Sequence, residues 1–131
     1  IICRLFMLLD THTLLWFLNN DSKLPTPVKT RIENTEFIFA SIVSIWEITI
    51  KVNVGKLTLL SPLETIQVNM IDLKIQEIPI LFTDVQSYVS LPLYHRDPFD
   101  RLLIAQAINR LLPIASADDA FDAYSIQRIW A

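Results

Sequence analysis

Leu5-Phe6-Met7-Leu8-Leu9-Asp10-Thr11-His12-Thr13-Leu14-Leu15-Trp16-Phe17-Leu18 is the stretch from which the fold can be read. Leu5 to Leu9 is short, continuously apolar and ended by a polar cluster, the pattern of a buried strand. Thr11 to Leu18 then predicts a short helix, and Asp10 stands at the joint. A strand that ends at an acid and passes directly into a helix is the first unit of an alternating α/β chain.

The alternation continues downstream. Asn19 to Thr26, with its Asn, Asp, Ser and Pro, is a loop. Val28 to Asn34 predicts a polar helix with Pro27 in its first turn. Glu36 to Ala40 reads as a strand, Ser44 to Val54 as a helix stopped by Gly55, and Ser61 to Leu73 as another helix with Pro62 near its start. Ile75 to Ile80 is a short strand or extended link. Thr83 to Ser90 predicts a helix, with Thr83 and Gln86 spaced as a capping box. Asp97 to Leu112 is the clearest helix, Ile114 to Ala117 a short strand, and Ile126 to Trp130 the last strand. Strands alternating with helices predict an α/β fold with a mainly parallel sheet. In such sheets sites form beyond the carboxyl ends of the strands, where Asp10 and Asp118 fall.

Composition bounds the rest. A chain of 131 residues supports one domain, here 1–131, with a core that needs no disulfide. The single cysteine, Cys3, reads as a small apolar residue on a strand, and a reducing, cytoplasmic setting fits it. The net charge of −3 lacks the broad basic footprint of most nucleic-acid binders, although bound cations can invert the charge of an acidic site. Ile1 to Leu18 is strongly apolar, but Arg4, Asp10 and His12 interrupt it, and a spanning helix needs roughly 20 mostly apolar residues. No small-residue cleavage site follows it, so neither a membrane span nor a signal peptide is expected. The first residue is Ile rather than Met, which makes Met7 a candidate start and residues 1–6 a candidate N-terminal extension.

Four acids lie where apolar runs stop or turn over: Asp10, Glu47, Asp100 and Asp118. In a chain that is 52% hydrophobic, carboxylates at core margins call for pairing or a metal. If they converge, they form an oxygen-ligand site for a hard divalent cation and point to metal-assisted chemistry on phosphate. Leu103, Ile104, Ala107, Ile108 and Leu111 form one helical stripe, and Asp100 is its next position toward the N-terminus, so it is expected to face inward. Its rival role is a first-turn acid favoured by the helix dipole. Asp97 precedes Pro98 and reads as an N-cap. Glu47 is contested, because Ser44 and Glu47 have capping-box spacing while the helix around them is apolar on most of its surface. Asp10 alone reads as a cap for the helix at Thr11, and Asp118 has turn acids Asp119 and Asp122 beside it.

Other chemistries find little support. His12 and His95 are too few and too separated for a zinc site. A chain with one glycine offers neither a phosphate-cradling loop nor a nucleophile elbow. Among the cations, Arg96, Arg101, Lys51 and Lys56 are candidate phosphate contacts, each with an ordinary solvated face as its alternative; Arg96 and Arg101, which flank Asp97 to Asp100, are the stronger pair.

Several blocks resemble PIN-domain ribonucleases of the VapC toxin type. They are Leu8-Leu9-Asp10-Thr11-His12-Thr13-Leu14-Leu15-Trp16, Ser44-Ile45-Trp46-Glu47-Ile48 through Gly55-Lys56-Leu57, and His95-Arg96-Asp97-Pro98-Phe99-Asp100-Arg101-Leu102-Leu103-Ile104-Ala105-Gln106-Ala107. Ser116-Ala117-Asp118, with Phe121 and Tyr124, and the ending Ile129-Trp130 extend the match. The resemblance implies a three-layer α/β/α PIN-like domain with a short parallel sheet, and cleavage of RNA with Mg²⁺ or Mn²⁺. It places the acidic quartet on Asp10, Glu47, Asp100 and Asp118, with Asp97, Ser116 and Thr11 in supporting or capping positions. It further implies a toxin–antitoxin system, a homodimer and silencing by a small antitoxin. Ser116 stands where Thr is frequent, and residues 1–6 precede the usual start of such chains. Two alternatives differ in class. One is a Mg-binding phosphoacceptor receiver-like domain, which needs paired acids after its first strand and a late lysine; no Lys follows Lys74. The other is a catalytically silent PIN-like module that only binds partners.

Overall fold

The computed structural model describes residues 5–131. The expectation for Cys3, and the first four residues of the candidate extension, lie outside that range. Among the described residues the strands are β1 (Phe6–Leu9), β2 (Phe37–Ser41), β3 (Ile75–Ile78), β4 (Ile114–Ala115) and β5 (Arg128–Ile129). The helices are α1 (Thr11–Leu18), α2 (Thr26–Glu33), α3 (Ile42–Asn53), α4 (Glu64–Asp72), α5 (Phe82–Ser90) and α6 (Pro98–Arg110), with a 3-10 turn at Asp119–Ala123. Every pairing is parallel, in the order β3-β2-β1-β4-β5. The α/β class expected from the alternation is the class observed.

Side-chain alternation along β1 explains the layers. Met7 and Leu9 join a core with Leu14 and Phe17 of α1, Val28 and Ile32 of α2, and Ile66 and Met70 of α4. Leu8 points to the other face, onto Leu103, Ile104 and Ala107 of α6 and onto Phe121. Successive strand residues face opposite sides, so a strand covered on both must be apolar throughout. That is why residues 6–9 carry no polar position. No helix among the described residues is long and apolar enough to cross a membrane.

The chain builds outward from β1 through β2 to β3, then returns to the far side of β1 for β4 and β5. The order reverses between β1 and β4, and a crevice opens there beyond the strand ends. Asp10 follows β1 directly, and Ser116 and Asp118 follow β4. Thr13 Oγ1 donates to Ala115 O at 3.1 Å and fastens α1 beside that crevice.

Element ends differ from expectation for local reasons. Helix α3 begins at Ile42 because the Ser41 hydroxyl accepts from Val43 N at 3.1 Å and caps it. The Ser44–Glu47 capping box therefore does not form; both residues are buried inside the helix. Helix α5 begins at Phe82, and its capping acid is Asp84, which accepts from Leu81 N at 2.8 Å, not the Thr83–Gln86 pair. Strands β4 and β5 are each two residues long, shorter than the apolar runs around them. Helix α6 stops at Arg110 because Leu111 takes a left-handed conformation (φ 55°), as residues after a helix end often do.

Asp84 fastens α5 to α6. It is fully buried and receives Arg110 Nη1 at 2.7 Å, Arg110 Nη2 at 3.0 Å, Asn109 Nδ2 at 3.1 Å and Gln106 Nε2 at 3.3 Å. Burial alone raises a carboxyl pKa, but here Arg110, the Leu81 amide, Asn109 and Gln106 outweigh it and hold Asp84 down to about 2. A depressed folded-state pKa contributes stability that is present above the ordinary value of 3.8 and lost as pH falls toward 2. Between those limits the Asp84→Asn chain should show a flatter fall of urea midpoint with acid than the native chain. Identical slopes would mean that Asp84 carries no part of the acid limb.

Candidate active site

Helix α1 starts at the end of β1, so its first residues face the crevice. Asp10 is its N-cap and accepts from Thr13 N at 2.9 Å. It is 6% exposed, and burial raises its pKa against the opposing hydrogen bonds of Ser116 and Thr13. Capping uses only part of the acceptor capacity of a carboxylate, so the cap and the ligand reading coexist at this residue.

Glu47 reaches the same region from α3. The Thr11 hydroxyl donates to its Oε1 at 2.7 Å, and Lys51 Nζ lies 2.8 Å from its Oε2. Thr11 Oγ1 also lies 3.0 Å from Ser44 Oγ. A hydroxyl has one hydrogen to give, so Ser44 is the donor in that second pair. The Thr11 link thus joins the residue after Asp10 to Glu47.

At the start of α6 the two acids divide their tasks. Asp97 Oδ1 accepts from Phe99 N at 2.9 Å and Asp100 N at 3.0 Å, the N-cap expected of it. Asp100 is thereby released from capping and turns partly inward, with a side chain 22% exposed. Its pKa is pushed up to about 7, first by burial and then by the negative charge of Asp97, with further contributions from Glu47 and Asp10. His95 pulls in the opposite direction.

Asp118 arrives on the turn after β4. Its amide donates to Ser116 Oγ at 3.0 Å, and its Oδ1 accepts from Ala120 N at 3.0 Å. Ser116 is fully buried and serves Asp10 as well, so one hydroxyl lies between two acids.

Asp100 and Asp118 come together through a third residue. His95 Nε2 lies 3.1 Å from Asp100 Oδ2 and 3.1 Å from Asp118 Oδ2, and ligand atoms of the three residues fall within 4.8 Å of one another. Asp10 and Glu47 stand outside this tight group, near enough for their charges to act on Asp100. The donor set fits a hard divalent cation. It is rich in carboxylate oxygen, and its mutual repulsion is of the kind a cation relieves.

Two departures from the sequence reading concern the loop before α6. In sequence His95 pairs with His12 only as half of an implausible zinc site. His12 is exposed and stacks on Trp16 at 5.8 Å, and His95 needs no second histidine to reach two carboxylates. The available signal is its place two residues ahead of the Asp97 cap. Arg101, expected to contact phosphate, does something else. It is 4% exposed, and its guanidinium is directed at the main chain, with Pro92 O at 2.8 Å and Tyr88 O, Leu91 O and His95 O each at 3.3 Å. Those carbonyls engage both terminal nitrogens of Arg101. Arg96 is exposed and has no ion-pair partner among the described residues.

Known proteins share this fold. The sequence profile of the PIN domain matches residues 7–127. No curated protein sequence matches the chain. Among solved structures, a chain of VapBC2 from Rickettsia felis, bound to a promoter DNA fragment, superposes with a TM-score of 0.70 at 14% identity, covering 97% of this chain and 100% of that one. DNA-bound VapBC from Salmonella typhimurium gives 0.70 at 16% identity over 95% and 97% of the two chains. A toxin–antitoxin complex from Klebsiella pneumoniae gives 0.64 at 16% identity over 94% and 95%. At these identities the likeness is one of fold.

Proposed function

The chain belongs to the PIN-domain family, and from that premise we propose that it is a divalent-metal-dependent ribonuclease, acting in the cytoplasm as the toxin of a toxin–antitoxin pair. The observation that carries the reading is the charge environment of Asp100. Asp100 converges with Asp118 and His95 within 4.8 Å, and burial with the charges of Asp97, Glu47 and Asp10 pushes its pKa up; a carboxylate so placed is a poor structural device and a good cation receptor.

Asp10, Glu47, Asp100 and Asp118 are the proposed site residues and the proposed holders of Mg²⁺ or Mn²⁺, Asp100 and Asp118 from the tight group beside His95 and Asp10 and Glu47 from its margin, directly or through water. A divalent cation held there supplies charge neutralisation for the attacked phosphodiester and an activated water. The protein's own part is orientation. Thr11 and Lys51 fix both oxygens of Glu47, Ser116 and Thr13 fix Asp10, and Asp97 holds the first turn of α6 so that Asp100 stays free. Arg96, exposed beside the acids, is the proposed contact to the substrate backbone.

RNA as substrate, a homodimer and a small antitoxin rest on the resemblance to VapC-type ribonucleases. The similar folds of chains from VapBC and toxin–antitoxin complexes agree with that assignment. A protein partner is further supported by an apolar groove of about 260 Å³ lined by Trp46, Val85, Tyr88, Phe99 and Leu102. Trp46 is 53% exposed there and meets Phe99 edge-on at 5.1 Å. Exposed aromatic surface of this kind marks interaction sites.

The test is a cleavage assay on single-stranded RNA with Mg²⁺, with Mn²⁺ and with a chelator. Cleavage is expected with either ion and is expected to cease on chelation. Equal cleavage in the presence of chelator would remove the metal from the reading, and no cleavage of any RNA with either ion would favour a silent partner-binding module.

A further inference from the structure

His95 is the residue of this site that the acidic quartet does not account for. Its side chain is 13% exposed and its ring packs at 5.6 Å on the Phe121 ring. The loop carrying it is held at several points. His95 N donates to the Tyr124 hydroxyl at 2.9 Å, that hydroxyl donates to Pro92 O at 2.6 Å, and Arg101 Nη1 reaches His95 O at 3.3 Å. The ring itself is oriented by Asp97 N, which donates to Nδ1 at 3.2 Å. A ring nitrogen that accepts carries no hydrogen, so the hydrogen is on Nε2. Nε2 is the atom placed 3.1 Å from both Asp100 Oδ2 and Asp118 Oδ2.

We propose that His95 is a positioning residue that sets the metal affinity of the site, its Nε2–H donating to Asp100 and Asp118 together and holding the two carboxylates in a converging pose. The inference rests on the metal-site reading given above and deepens it. Ala120 N holds only Oδ1 of Asp118, whose side chain is 44% exposed on a turn, so Oδ2, which faces another carboxylate, needs a second donor to keep its pose. Donation to one lone pair of each oxygen leaves the second lone pair for a cation. The Asp97 N–H argues against His95 as a ligand, since ligation through Nε2 would require the hydrogen to move to Nδ1, where a donor already points. Arg101 and Tyr124 act one step further back, by holding the loop that delivers the ring.

The experiment measures Mg²⁺ and Mn²⁺ dissociation constants by calorimetry at one fixed pH for the native full chain, His95→Ala and His95→Gln. Outer donors to ligating carboxylates typically tune affinity by about 10-fold or more. Expected are about tenfold weaker binding of both ions by the Ala chain and near-native binding by the Gln chain, whose side-chain amide restores an N–H donor. Unchanged or tighter binding by the Ala chain overturns the inference, the latter by making His95 a competitor of the cation. A loss confined to Mn²⁺ also overturns it, in favour of a direct nitrogen ligand. An equal loss in the Gln chain overturns it too, since the N–H would then not be the feature that matters. If the native chain binds neither ion, the metal reading falls and takes this inference with it; if it binds and the variants do not differ, only the inference falls. Imidazole ¹⁵N shifts of the metal-free native chain give a readout independent of any variant, and an Nδ1–H tautomer at His95 would overturn the proposal directly.

Discussion

Asp100→Asn is expected to abolish metal-dependent RNA cleavage while making the metal-free protein more stable at neutral pH. The two effects share one cause. Asn keeps the shape and part of the acceptor capacity of Asp but removes the charge that attracts a cation. Metal stabilisation of charge in such reactions amounts to several kcal/mol, so the loss of rate should be on the order of a thousandfold or more. The stability gain follows from linkage. The pKa of Asp100 in the folded chain is raised from 3.8 to about 7, so the folded state binds more protons than the unfolded state between those values. Stability from this group is therefore fully present below about pH 4 and is lost as pH rises toward 7. Asn carries no charge and removes that loss. Allowing for solvent screening at a partly open site, the gain at neutral pH is on the order of 1 kcal/mol, a rise in melting temperature of a few degrees. Saturating Mg²⁺ should reverse the ranking by stabilising only the native chain. Thermal melts of both chains with and without Mg²⁺, beside the cleavage assay, check each part. Wild-type cleavage by the Asn chain would remove Asp100 from the site.

The inward pose behind that prediction also made Asp100 the most legible of the acids. Its place on the α6 stripe is a matter of helical period, which sequence displays directly. Asp10 was legible for a related reason, since a continuous apolar run that stops at an acid marks a strand end. Glu47 was not, because Ser44-x-x-Glu47 mimics a capping box, and the true start of α3 depends on β2 running without a loop into the Ser41 cap. The two-residue strands β4 and β5 were legible as apolar runs but not in length, because pairing partners rather than propensity decide where a short strand stops. His95 and Arg101 were least legible. Both depend on the path of the loop from Leu91 to His95, and a charged or polar letter in a sequence does not disclose which carbonyls or carboxylates a loop will bring to it. Arg96 and Arg101 look equivalent as flanking cations; the Asp97 cap and the first turn of α6 between them send one to solvent and the other into the protein.

That contrast gives the second large effect, Arg101→Lys. The substitution preserves charge, so a surface arginine engaged with phosphate would tolerate it with little change in stability. Arg101 instead spans Pro92 O, Leu91 O, Tyr88 O and His95 O from two nitrogens, with Tyr124 Oη at 3.4 Å and its guanidinium carbon 4.7 Å from the centre of the Tyr88 ring. A lysine has one compact ammonium and cannot bridge acceptors spread across a planar fork. It would leave partly buried carbonyls of Tyr88, Leu91 and His95 short of a donor and would confine its own charge in a site shaped for another ion. Hydrogen bonds to charged groups contribute about 1.5–3 kcal/mol, so the Lys chain should lose about 3 kcal/mol in urea unfolding. Its cleavage should fall as well, through a displaced His95 and a loosened Asp118, with little change in how RNA affinity depends on salt. Arg96→Ala should do the reverse: stability within about 0.5 kcal/mol of native, and weaker RNA binding with a shallower salt slope, as for one lost phosphate contact. An Arg101→Lys chain with native stability but weakened RNA binding would make Arg101 a substrate contact after all, and the loop from Leu91 to His95 would then need another anchor.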